Sequence, residues 1–126
     1  GFTPLLAAAC VDASPEIVGI LLTGGANVAA ATTDGCTPLH LAALLGNIDL
    51  IHRLAERGAP LQAADATGKT PLWTATTVGQ VEAVEVLAEK GADVNHRTRK
   101  GATPIHCAVR QNRLDMVKVL LRAKAD

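Results

Sequence analysis

Apolar residues fall in short bursts at helical spacing, and turn-forming residues separate the bursts at regular intervals. Leu5, Leu6, Ala8 and Ala9 make the first burst, and Ile17, Val18, Leu21 and Leu22 the second. Leu39, Leu41, Ala42 and Ala43 follow, then Ile48, Leu50, Ile51 and Leu54. Positions three and four apart share one face of a helix, so each burst predicts a short amphipathic helix. Within a pair, the helices are separated by 10–14, by Gly46-Asn47 or by Gly79; Gly24-Gly25, Gly58-Ala59 and Gly91-Ala92 end the second helix of a pair. Between pairs lie 29–35, 62–68 and 95–101, polar or small and each closing on Gly, which read as turns needing a positive φ at that Gly.

The start signals are as regular as the bursts. Thr3-Pro4-Leu5, Thr37-Pro38-Leu39, Thr70-Pro71-Leu72 and Thr103-Pro104-Ile105 place their threonines 34, 33 and 33 residues apart. Thr suits an N-cap because its hydroxyl can accept from exposed first-turn N–H groups, and Pro suits the next position, where its missing N–H would be unpaired anyway. Ser14-Pro15-Glu16 repeats the device at a second helix, with an acid favourable at a helix N-terminus. A fixed period in this range signals stacked repeats, here 1–34, 35–67, 68–100 and 101–126. The first is one residue longer, and the extra residue falls in 10–14, where it disturbs neither stripe. Such short helices are marginal alone. The expected fold is therefore an all-α solenoid of about four helix-turn-helix units with projecting hairpin loops, a single domain in which each unit covers its neighbour. Trp73, Thr74 and Thr76 stand where the second unit has His40, Leu41 and Ala43, and the fourth unit closes on the stripe Met116, Val117, Val119, Leu120, Leu121.

Composition adds that 48% of residues are hydrophobic while the chain has one Phe, one Trp and no Tyr, so Leu, Val, Ile and Ala must fill the core. Neither a long apolar run nor a charged-then-apolar leader is present, so a membrane partner is not expected. Net charge is zero, but residues 1–52 hold Asp12, Glu16, Asp34 and Asp49 with no Lys or Arg, whereas 97–126 hold eight Lys and Arg against Asp115 and Asp126. A basic end can steer an acidic partner; it can also be only a solvated face. Cys10, Cys36 and Cys107 are odd in number and far apart, which implies no disulfide framework and favours a reducing intracellular compartment, cytoplasmic or nuclear.

No constellation argues for catalysis, a cofactor or a metal. Cys36 and His40 supply two ligand types with no second pair, short of the four ligands of a zinc site. His106 and Cys107 adjoin in sequence, but consecutive helical side chains do not face each other. Gly24-Gly25 follows a helix rather than opening one, the wrong polarity for a phosphate, and Glu82, Glu85 and Glu89 share one water-facing stripe.

Gly35–Ala43, with Thr-Pro-Leu-His-Leu-Ala-Ala, and Gly91-Ala92-Asp93-Val94-Asn95 make the chain resemble an ankyrin repeat protein over essentially its whole length. It departs from the family pattern at Asn112, which replaces the inner-turn Gly and tolerates a left-handed backbone, and at Lys124, which replaces the Gly ending the last helix. Neither end carries a polar capping repeat. Phe2 and Leu6 at one end, with Leu120 and Leu121 at the other, are expected to contact further repeats of a longer array.

The resemblance gives His40 and His106 a structural hydrogen-bonding role and places partners in a concave groove. Mapped onto this chain, the variable positions are Thr33, Asp34, Cys36, Leu44 and Leu45, then Ala66, Thr67, Lys69, Thr77 and Val78, then Arg99, Lys100, Ala102, Arg110 and Gln111. The middle is apolar and the C-terminal end basic, which suits a protein or peptide with an apolar anchor and an acidic segment. Leu44 and Leu45 beside Val78 read either as a contact patch or as local packing, with contact favoured. Trp73 reads either as a hot spot or as packing between units, with packing favoured. Leu87, Asp93, Val94 and Asn95 also fit the spacing at which ankyrin repeats are hydroxylated by an oxygen-sensing asparaginyl hydroxylase; the alternative is a turn Asn serving its own backbone. Two further readings are a substrate-recruiting module of a larger ubiquitin-ligase adaptor or enzyme, and a nucleic-acid binder resting only on the basic end, where stacking aromatics are missing.

Overall fold

Thr and Pro start the inner helix of each unit as the sequence requires. The computed structural model describes residues 3–123. Its helices are α1 (Pro4–Cys10), α2 (Pro15–Thr23), α3 (Pro38–Leu45), α4 (Ile48–Glu56), α5 (Pro71–Val78), α6 (Val81–Glu89), α7 (Pro104–Arg110) and α8 (Leu114–Arg122). The hydroxyls of Thr3, Thr37 and Thr70 accept from the N–H groups of Leu6, His40 and Trp73 at 3.2, 3.4 and 3.3 Å. Odd-numbered helices pack side by side in one layer, even-numbered helices in a second, and each pair closes on itself across the layers.

The core lies between the layers and repeats by position. Leu39 and Leu72 are fully buried, as are Ala42, Ala75 and Ala108 in the inner helices and Leu54, Leu87 and Leu120 in the outer ones. Each such leucine stabilises the stack by about 1.5–3 kcal/mol through apolar area withdrawn from water. Thr76 is equally buried in the position of Ala43, and its hydroxyl is satisfied by the Leu72 carbonyl at 2.9 Å. Thr74 and Thr77 bond back to Thr70 and Trp73 in the same way, at 3.2 and 3.0 Å.

Each inner turn uses a left-handed residue nine positions after its Thr. Gly46 and Gly79 have φ of 69° and 82°, and Asn112 has 57°, as its substitution for Gly led one to expect. Asp12 fills the same position in the first unit with φ 53°, which the sequence reading did not single out. The residue after each donates its N–H five residues back: Ala13 to Ala8, Asn47 to Ala42, Gln80 to Ala75 and Arg113 to Ala108. The first unit's extra residue is therefore Ser14, which caps α2 by accepting from the Ile17 N–H.

Three expectations need correction. The projecting hairpins are hydrogen-bonded turns, and no strand forms among the described residues. Two backbone bonds close each tip: the N–H groups of Thr32, Asp65 and Thr98 donate to the carbonyls of Cys36, Lys69 and Ala102, and the N–H groups of Gly35, Gly68 and Gly101 donate back to the carbonyls of Thr32, Asp65 and Thr98; single backbone bonds from Ala66 to Asp34 and from Arg99 to Thr67 join adjacent tips. One bond per junction is too few for a ladder. Ile17, expected in the α2 stripe, is 50% exposed. Its counterparts Leu50, Ala83 and Met116 are buried, each on an outer helix that packs against the outer helix of the unit before it, whereas α2 has no such neighbour in the structure. Leu6 and Leu120, expected as open contacts, are fully buried within this chain, while Leu121 is exposed; Phe2 and Lys124 lie outside the described residues.

Candidate protein interaction face

The positions expected to form the binding face lie on the inner helices, at their ends or in the turns before them. Between α3 and α5 this face opens into a cleft of about 270 Å³ lined by Cys36, His40, Leu41, Leu44, Asp65, Lys69, Thr74, Thr77 and Val78. It brings together five of the residues expected to bind: Cys36, Leu44, Lys69, Thr77 and Val78. Leu45 lies outside the cleft lining but is exposed, as are Leu44 and Val78. Asp34, Thr67, Arg99, Lys100, Arg110 and Gln111 are exposed outside the cleft.

Side chains hold the cleft wall in shape. Asp65 accepts at one carboxylate oxygen from the Thr67 N–H, the Thr67 hydroxyl and the Lys69 N–H, at 2.9, 2.7 and 3.0 Å. Burial alone would raise its pKa, but these bonds and the nearby His40 bring it below the ordinary carboxylate value. His40 spans two units: Nε2 lies 2.8 Å from the Lys69 carbonyl, and Nδ1 lies 3.1 Å from the Thr37 N–H. A carbonyl only accepts and an N–H only donates, so the ring is held neutral with its proton on Nε2. Burial depresses its pKa, outweighing the opposing Lys69 carbonyl and Asp65. Burial also raises the Cys36 thiol, assisted by Asp65, Cys10 and Asp34, so Cys36 offers the cleft a soft apolar wall rather than a nucleophile.

Other expected residues serve partly as structure. Gln111 donates from Nε2 to the Thr77 carbonyl at 2.9 Å. The Arg113 guanidinium lies over Gly79, so closely that a side chain there would collide with it, and Arg97 donates to the Gly101 carbonyl at 3.0 Å. Arg97, Arg99, Lys100, Arg110, Lys118 and Arg122 are exposed at the basic end, and of these Arg99, Lys100 and Arg110 hold positions expected to bind. His106 repeats the Thr-His bond, with Nδ1 3.1 Å from the Thr103 N–H, and its neighbour Cys107 is buried. Trp73 is 8% exposed, a packing residue as favoured, but its Nε1–H has no hydrogen-bond partner. The Asn95 N–H donates to the Asp93 carboxylate at 2.9 Å, and Leu87 and Val94 beside it are buried.

One exposed position was missed. Val11, 74% exposed, stands eight residues after Thr3, as Leu45 stands after Thr37 and Val78 after Thr70. Counting eight residues from the first threonine finds it. Among the described residues, no group of three or more His, Cys, Asp and Glu side chains is placed to hold a metal ion, and no helix is long and apolar enough to cross a membrane.

No curated protein matches the chain. A family model described as ankyrin repeats (3 copies) matches it twice, over residues 1–65 and 61–126. Family, period and stacked helix pairs agree: the chain belongs to the ankyrin repeat family, whose repeats are generally protein–protein interaction modules.

Proposed function

We propose that this chain is a non-catalytic interaction scaffold that holds a protein or peptide along the face of its inner helices. The observation that carries the reading is the α3–α5 cleft, rimmed by exposed Leu44 and Val78 beside exposed Leu45, within one stack of the exposed cations Arg99, Lys100 and Arg110. An apolar side chain of the partner fills the cleft, where desolvation supplies most of the affinity. Acidic residues of the partner face the basic end, where long-range attraction speeds encounter. Nucleic acid fits less well, because Trp73 is buried and base stacking needs exposed aromatic faces.

The test is affinity capture of partners from lysate, followed by titration of the purified partner against variants. Leu44→Asp and Leu45→Asp should fold with unchanged melting temperature, since both side chains are exposed, and should abolish binding. Glu at Arg99, Lys100 and Arg110 should weaken binding at low salt and flatten its salt dependence. Retention of the partner by all of these variants would put the binding surface elsewhere.

A further inference from the structure

We infer that the occupant of this face is an amphipathic α-helix lying along the stack, with apolar residues seven apart and its acidic C-terminal end over the fourth unit. This rests on the interaction reading above and specifies its partner.

The observation is a ladder. Val11, Leu45 and Val78 hold one position in three consecutive units, each at the end of an inner helix, and they are 74%, 44% and 43% exposed. Their inner helices pack as neighbours, and packed helices lie about 8–10 Å apart. Equivalent side chains therefore recur at about that interval. A partner must present apolar groups at the same interval on one face. Seven residues of α-helix advance about 10.5 Å and return to nearly the same face. Three residues of extended strand advance about 10 Å but end on the opposite face, and two or four residues miss the interval. Three residues of polyproline helix advance about 9.3 Å and keep the face, but such ligands dock in aromatic-lined grooves. Trp73 is buried, which leaves no exposed aromatic among the described residues.

Charge sets the direction. Three residues before the cap threonines stand Asp34, Thr67 and Lys100, which run from acid through neutral to base along the stack. At the fourth rung the ladder changes to Gln111, with Arg110 beside it, so apolar contact gives way to polar contact at the basic end. A helix ends in negative partial charge at its C-terminus. Its dipole and an acidic C-terminal segment both favour the fourth unit, and its N-terminal end then lies toward Asp34.

The probe is a synthetic helical peptide with three leucines seven residues apart, basic at its N-terminal end and acidic at its C-terminal end, titrated against the whole chain. Three control peptides keep the composition: one spaces the leucines five apart, one reverses the charge order, and one carries prolines that forbid helix. The heptad peptide should bind at least about tenfold tighter than each control, and Val11→Asp, Leu45→Asp and Val78→Asp should each weaken it by about tenfold or more, the scale of one anchoring side chain. Equal binding by the proline peptide would mean an extended occupant. Self-association of the chain abolished by the same substitutions would mean a second copy; either result overturns the proposal. A captured partner that binds through Leu44 while every helical peptide fails would also overturn it, leaving the interaction scaffold intact.

Discussion

His40 and Lys69 are joined across the second and third units by a 2.8 Å bond between the imidazole Nε2 and the backbone carbonyl. The same ring accepts from the Thr37 N–H that opens its own helix, so one side chain fixes a helix start and the register of the next turn. The bond exists only while Nδ1 is unprotonated. Burial holds His40 below its ordinary value of 6.5, so the unfolded chain takes up the proton first as the pH falls. The contribution of His40 to stability is therefore complete above about pH 6.5 and is lost as the pH drops through the lowered folded value. Asp65, also depressed, loses its contribution only when the carboxylate range is entered, at lower pH.

Thermal melts from about pH 7.5 to about pH 5 separate the two groups. The native chain should lose melting temperature across that range. His40→Leu, which copies the Leu6 of the first unit, should lose less while starting lower, because it strands the Thr37 N–H at about 1–3 kcal/mol and removes one of the two bonds to the Lys69 carbonyl, which keeps the Asp65 N–H. Parallel pH profiles for the two proteins would show that His40 does not titrate with folding.

Gly68 and Gly58 have almost the same backbone, φ 84° and 80°, yet they face different surroundings. A β-carbon on Gly68 would sit 2.9 Å from the Arg99 backbone nitrogen, whereas nothing lies within 4 Å of one on Gly58. Gly58→Ala should therefore cost only the left-handed strain of an L-residue, about 1–2 kcal/mol. Gly68→Ala should cost more, because it also pushes apart the tips joined by the Arg99 N–H and the Thr67 carbonyl. Urea midpoints rank the pair, and equal losses would mean that tip-to-tip contact contributes nothing.

The stack was legible because each unit repeats the same local signals. Thr-Pro starts, glycine stops and apolar spacing are properties of a few adjacent residues, and they predicted every helix. Asp12 was not legible in that way, since an aspartate in a left-handed turn lacks the signature of a glycine; only its nine-residue offset from Thr3 marks it. Ile17 shows a second kind of failure. Its helical spacing matches that of Leu50, but burial depends on whether a neighbouring unit covers it, and spacing carries no such information. The family resemblance implies a binding face that includes Leu44, Cys36, Lys69, Thr77 and Val78, and these five residues line one cleft. That Asp65 and His40 shape this cleft follows from bonds between residues up to 29 positions apart, which no local pattern records.

Trp73 occupies the position that His40 fills one unit earlier, and the joint after it lacks the corresponding bridge. Its Nε1–H is buried without a partner. The backbone it would have to reach is built as in the preceding joint, since the Ala102 carbonyl accepts from Thr98 just as the Lys69 carbonyl accepts from Asp65. The large ring compensates by volume, and Trp73→Ala should cost about 3–5 kcal/mol through the cavity it leaves. Trp73→His loses part of that volume but regains two bonds worth about 1 kcal/mol each, from the Thr70 N–H to Nδ1 and from Nε2 to the Ala102 carbonyl. It should lie within about 1 kcal/mol of the native chain on this balance, and hydrogen exchange in α7 should slow relative to Trp73→Ala. A histidine variant as unstable as the alanine one would show that the third joint cannot accept the bridge that fastens the second.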